Sequence, residues 1–220
     1  MDARTLVLCL ACFLLVLSGV VYGFKFLKKR NYLLGVECLV IAFSASNALI
    51  FFLTNSGIAY EISHFLDAFS RGFGVPIISI IGLMAVTHGY KPSKSKDFLM
   101  FVVAFAATFV LILASFMVKP LPYFYVAMWS IFSVYLLYFA SRLVGVGAYL
   151  QALGIFIAML AGQAIASIYD FYKIPGDETN VVLNFYVLAL STWAFMLSQF
   201  YYGYGVLERL KSSSALLPAR

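Results

Sequence analysis

Three ionisable side chains follow one another at helical spacing in a strongly apolar part of the chain: His64, Asp67 and Arg71. Separated by three and then four positions, they would lie on one face of a helix. A guanidinium there suits an anionic or carbonyl-bearing solute, and the histidine and aspartate could exchange protons. An ionisable group in hydrocarbon costs on the order of 2.5–3.5 kcal/mol, so each of these residues suggests a functional role.

The residues that follow, Gly72-Phe73-Gly74-Val75-Pro76, weaken the same helix. Proline removes a backbone donor and clashes with the preceding turn, and glycine lowers the resistance to bending. We therefore predict a kink beside Arg71, at about 14 Å depth in the membrane. A purely structural alternative remains open, in which Asp67 and Arg71 only neutralise each other and Pro76 makes an ordinary kink.

Two further polar stripes have helical spacing, in the second and in the sixth apolar segment. The first comprises Glu37, Ser44 and Asn47, and the second comprises Gln163, Ser167 and Asp170. The side chains of both stripes could simply form hydrogen bonds between helices. The functional hypothesis is a substrate-binding site formed by Arg71, Asp67, His64, Asn47, Gln163, Ser167 and Asp170, with Glu37 as an ion or proton relay.

The elements that position these residues follow from composition. Of the 220 residues 64% are hydrophobic and 11% charged, which is typical of an all-α integral membrane protein. Segments of roughly 20 apolar residues can each span the bilayer as a helix. We predict a single membrane domain with seven such helices near 4–24, 32–54, 62–88, 98–118, 122–142, 147–171 and 181–207, followed by a short cytoplasmic tail at 211–220.

Lysine and arginine decide the orientation, because cytoplasmic loops are enriched in them. Alternate connections and the tail hold most of them: Lys25, Lys28, Lys29, Arg30, Lys91, Lys94, Lys96, Arg142, Arg209, Lys211 and Arg220. The opposite side holds Arg4, Lys119 and Lys173. This bias predicts seven crossings with the N-terminus outside and the C-terminus in the cytoplasm.

A weak internal repeat could relate helices one to three with helices five to seven. Tyr32-Leu33 matches Tyr149-Leu150, and His88-Gly89-Tyr90 resembles Tyr202-Gly203-Tyr204. Chance similarity between apolar helices is the alternative. A three-plus-one-plus-three order resembles the architecture of SWEET-type sugar transporters, trimeric cation channels and microbial rhodopsins, although residues 181–207 lack the lysine that a retinal protein needs.

Three functions remain open. The first is a small-solute or ion transporter or channel with its site around the third helix. The second is a membrane-embedded enzyme that acts on a lipid-soluble substrate through His64, Asp67 and Arg71, although no HExxH or GxSxG motif is present. The third is a structural or sensory subunit of a larger membrane assembly.

The expected partners and location follow from the same features. We expect contact with membrane lipids and with a small solute or ion, but not with nucleic acid. Contact with a second copy or with a partner membrane subunit is a further option. No cofactor or metal is expected, because the cysteines Cys9, Cys12 and Cys38 all lie in apolar segments. The simplest assumption for the location is the bacterial inner membrane.

Overall fold

The computed structural model describes residues 3–169, 171 and 183–216, and the regular structure in these ranges is helical throughout. Seven helical rods follow one another: α1 (Ala3–Lys28), α2 (Tyr32–Thr54), α3 (Gly57–Thr87), α4 (Lys94–Leu113), α5 (Leu121–Val144), α6 (Tyr149–Tyr169) and α7 (Leu183–Leu216). The first six are long and apolar enough to cross a membrane. The chain thus has the helices of a multi-pass membrane protein.

Helices α2, α5 and α6 agree with the predicted segments to within two residues. Serine caps move the starts of α3 and α4 ahead of the predicted positions 62 and 98. The Ser56 hydroxyl accepts a hydrogen bond from the backbone N–H of Ala59, and that of Ser93 accepts one from Lys96. Because such caps satisfy donors of the first turn, α3 begins at 57 and α4 at 94.

Basic residues prolong α1 and α7 beyond the predicted ends at 24 and 207. The Lys25 ammonium lies 5.3 Å from the ring centroid of Tyr22 and 5.1 Å from that of Tyr201, so its apolar stem packs while α1 continues. In α7 the ammonium of Lys211 donates to the carbonyl of Ala85 at 3.4 Å. This helix continues to Leu216, so residues 211–216 of the predicted tail are helical.

Helix α3 changes its geometry along its length. It is α-helical over Gly57–Phe69, π-helical over Ser70–Ser79 and α-helical again over Ile80–Thr87. Pro76 lies inside the π-helical segment, where its missing N–H and bulky ring oppose a regular α-helical turn. The hydroxyl of Ser79 donates to the carbonyl of Gly74 at 3.4 Å. The predicted weak point is thus a widened stretch of helix that begins at Ser70 and includes Arg71.

Six of the helices form a closed ring in chain order. Helix α1 packs on α2, α2 on α3, α3 on α5, α5 on α6, α6 on α7, and α7 again on α1. Helix α4 lies outside this ring against α2 and α3. Large apolar side chains on the outer surfaces, such as Leu10, Phe13 and Leu17 of α1, are exposed and suit contact with lipid.

One half of the ring is filled by packed side chains. It contains the C-terminal ends of α1, α3, α5 and α7 and the N-terminal ends of α2 and α6, and we call it the closed half. Phe26, Phe139, Leu143, Phe200 and Tyr204 are at most 1% exposed there. The last stretch of α3 reaches across to α7 at this end. Among the described residues no such plug fills the other half, which holds the site described next.

Candidate solute-binding cavity

A cavity of about 400 Å³ lies in the centre of the ring, opposite the closed half. Each of the six ring helices contributes to its lining, mainly through the C-terminal halves of α2 and α6 and the N-terminal halves of α3 and α7. Its size is within the roughly 300–1,000 Å³ of small-molecule sites in proteins. The ring can therefore enclose a small solute.

Helix α3 supplies most of the polar wall of this cavity. His64, Asp67 and Arg71 all line it, as their spacing predicts for one helical face. The ring of His64 stacks on that of Tyr60, with centroids 5.8 Å apart. The placement of His64, Asp67 and Arg71 is therefore compatible with the predicted site, while their role in binding remains a prediction.

Asp67 and Arg71 form an ion pair at the edge of the cavity, with 3.8 Å between the nearest nitrogen and oxygen. The Asp67 side chain is 32% exposed and that of Arg71 8%. The guanidinium carbon lies 4.0 Å from the ring centroid of Tyr125 and 3.9 Å from that of Tyr169, at cation–π distance. The ion pair of the structural alternative is thus present, and it borders a cavity.

Aromatic rings form the other walls. Tyr169 and Tyr186 approach each other with their hydroxyl oxygens 3.3 Å apart, and the rings of Trp129 and Trp193 have centroids 5.7 Å apart. Gly162 allows α6 to pass Trp129, because a Cβ at this glycine would collide with the indole. The aromatic lining comprises Phe51, Phe52, Tyr60, Trp129, Tyr169, Tyr186 and Trp193.

Sequence reasoning missed this aromatic lining, because it considered only polar and ionisable side chains as site residues. A signal was present in the tryptophans. Trp residues of membrane helices favour the two interfaces, whereas Trp129 and Trp193, the only two in the chain, lie well inside their helices.

Glu37 lies one side chain away from the cavity. It is 1% exposed, and the hydroxyl of Ser70, which lines the cavity, donates to one of its carboxyl oxygens at 3.0 Å. The other oxygen has no hydrogen bond within the described part of the chain. Gly74 passes so close to this carboxyl group that a Cβ would overlap it. Glu37 thus bridges α2 and the π-helical segment of α3.

The amides of the two other polar stripes do not reach the cavity. The Asn47 side chain donates to a carbonyl of its own helix at 2.9 Å. Gln163 accepts a hydrogen bond from Ser133 at 2.9 Å and so joins α6 to α5, and the Ser167 hydroxyl donates back to the Gln163 carbonyl. These residues fit the alternative of contacts within and between helices. Asp170 lies outside the described residues.

Comparisons with protein-family models, with curated proteins and with solved structures give no match. Any functional conclusion therefore rests on the geometry of the cavity.

Proposed function

We propose that this chain is a carrier for small solutes, with its binding site in the ring cavity beside Arg71. One observation supports this most strongly. A cavity of about 400 Å³ occupies one half of the ring, while the other half is closed by packed aromatic and aliphatic side chains. Carriers that work by alternating access expose a central site to one side at a time, and a static pore would need both halves open.

The proposed orientation places the cavity on the outer side. If α7 is the seventh crossing, the bias of lysine and arginine puts the N-terminus outside, and the closed half then faces the cytoplasm. Lys29 and Lys211 belong to this half. The cavity half would then receive solutes from outside the cell.

The order of the ring supports a repeat of two parallel triplets. Exchange of α1, α2 and α3 with α5, α6 and α7 leaves the sequence of neighbours around the ring unchanged. Such halves commonly meet at the substrate site of a transporter and rock against each other. The proposed movement separates the triplets in the closed half and joins them around the cavity.

The π-helical segment is the proposed hinge within the first triplet. Two glycines and Pro76 lower its resistance to bending, and Ser70 at its start touches both the cavity and Glu37. Glu37, which the sequence predicts as an ion or proton relay, would in addition couple the state of the cavity to α2 through Ser70.

Substitution of Arg71 tests the site. We expect Arg71→Ala to reduce uptake at least about tenfold, because a charged hydrogen-bonding group contributes roughly 1.5–3 kcal/mol. The measurement is uptake of a defined mixture of labelled amino acids, sugars and nucleosides by liposomes that contain the purified protein. Arg142→Ala is the matched control, since Arg142 is exposed and lies in the closed half. Normal uptake by a folded Arg71→Ala variant would reject the site.

A further inference from the structure

The charges at the cavity indicate which solutes it can take. Among the described residues that line it, Asp67 and Arg71 are the only acidic residue and the only lysine or arginine. They lie 3.8 Å apart, so the described lining has no net formal charge when His64 is counted as neutral. A solute with a net charge would leave an excess charge between largely apolar walls, which is costly. A dipolar solute without net charge avoids this cost.

One end of the site suits an ammonium group. Asp67 exposes four times as much of its side chain as Arg71, 32% against 8%. Tyr186 lines the same cavity, and aromatic faces attract organic cations. The carboxylate and this ring together favour a primary or methylated amine.

Arg71 suits a carboxylate. Its guanidinium belongs to the only lysine or arginine among the described residues that line the cavity. A guanidinium can bind a carboxylate through two parallel hydrogen bonds. The indole rings of Trp129 and Trp193 also line the cavity, but their nitrogens are buried and do not face its open space.

The remaining wall is apolar. Phe51, Phe52 and Leu190 line it, with small alanines such as Ala48 and Ala189 leaving space between them. A cavity of about 400 Å³ is larger than an ammonium and a carboxylate require. The rest of the space suits an apolar or aromatic body, which gains by leaving water.

We propose that the cavity binds zwitterionic solutes in which an ammonium and a carboxylate are carried by an apolar or aromatic body, as in a large neutral amino acid. The ammonium binds Asp67 and the ring of Tyr186, and the carboxylate binds Arg71. This proposal rests on the proposed function as a carrier, whose site it defines chemically.

A series of three related ligands tests the proposal on the unaltered protein. Phenylalanine has both charges, phenethylamine only the ammonium, and 3-phenylpropionate only the carboxylate. Both tryptophans of the chain line the cavity, so the change in tryptophan fluorescence of the protein in lipid nanodiscs reports binding there. We expect saturable binding of phenylalanine at least about tenfold tighter than of either analogue, since each lost charged hydrogen bond is worth that much.

Substitution of Asp67 separates the two ends of the ligand. Asp67→Asn should weaken the binding of phenylalanine at least about tenfold, because its ammonium loses the carboxylate. The same substitution should not weaken the binding of 3-phenylpropionate, which has no ammonium and whose negative charge then faces an uncompensated Arg71. Ser141→Ala is the control, since this exposed side chain bonds within α5 in the closed half, away from the cavity. Equal binding of phenylalanine and one analogue by the unaltered protein, or no saturable signal with phenylalanine, would overturn the proposal.

Uptake measured in parallel separates this proposal from the carrier function. Binding of phenylalanine without uptake into liposomes would refute transport and leave the ligand class intact. Uptake of a sugar or nucleoside that Arg71→Ala abolishes, with no fluorescence response to phenylalanine, would refute the ligand class and leave transport intact.

Discussion

The contact between Glu37 and Gly74 shows how tightly single residues hold the wall of the cavity. The carboxyl group has one hydrogen bond, from Ser70, and lies against the backbone of the π-helical segment. Removal of that hydrogen bond or intrusion of another atom would disturb both helices. The absence of a side chain at position 74 is what lets α2 and α3 approach here.

Gly74→Ala tests this close approach. The added methyl group would overlap the Glu37 carboxyl group, so we expect a loss of about 1–3 kcal/mol in the free energy of unfolding, as for overpacked cores. Gly72→Ala is the matched control, because a Cβ there meets its nearest neighbour, the ring of Phe124, at 3.4 Å. Thermal unfolding in detergent compares the two variants, and equal midpoints would contradict the expected clash.

Residue spacing predicted which polar side chains line the cavity only where these side chains lie on a single helix. His64, Asp67 and Arg71 reach the cavity together because their relative positions depend on the local helix alone. For Asn47 and Gln163, the outcome depends on how α2 and α6 are rotated about their axes. That rotation is set by packing between helices, which the hydrophobic pattern of nearly uniformly apolar segments does not encode.

At the scale of elements, the ends of α1 and α7 hold the closed half together. Lys29 forms a salt bridge with Glu208, and its ammonium also lies 5.6 Å from the ring centroid of Tyr201 and 5.9 Å from that of Tyr204. In the carrier mechanism these two helices belong to different triplets and must separate here. The contact then stabilises the arrangement in which the cavity is open only on its own side.

Lys29→Ala should loosen the closed half. A partly exposed ion pair contributes up to about 1 kcal/mol, so a cysteine behind it should react up to about fivefold faster. The probe is Leu207→Cys, a buried position beside Glu208, in a chain without native cysteines and with reagent applied from the cytoplasmic side. Lys28→Ala is the control, because Lys28 is exposed. An unchanged labelling rate would exclude Lys29 as part of a gate.

At the scale of the whole molecule, composition and the length of apolar runs were sufficient to predict an all-helical membrane protein and the approximate positions of its helices. Their ends were less predictable, because capping by Ser93 and anchoring by Lys211 depend on individual contacts. The ring and its cavity could not be derived from sequence, since they depend on which helices are neighbours.

Labelling of single cysteines tests the proposed orientation. In a background without Cys9, Cys12 and Cys38, a membrane-impermeant maleimide should label Ser115→Cys in intact cells, because position 115 lies between α4 and α5 on the side that the proposal places outside. Ser95→Cys, at the start of α4, should react only after the membrane is permeabilised. Labelling in the opposite order would place the cavity on the cytoplasmic side instead.

The position of α4 outside the ring has a consequence for how such a protein could arise. A three-helix chain ends on the opposite side of the bilayer from where it began, so a direct fusion of two copies would insert the second one upside down. One additional crossing restores the orientation without contributing to the cavity lining. Under the proposed repeat, two separate three-helix chains would assemble the same ring as a twofold symmetric dimer, with α4 needed only once they share one polypeptide.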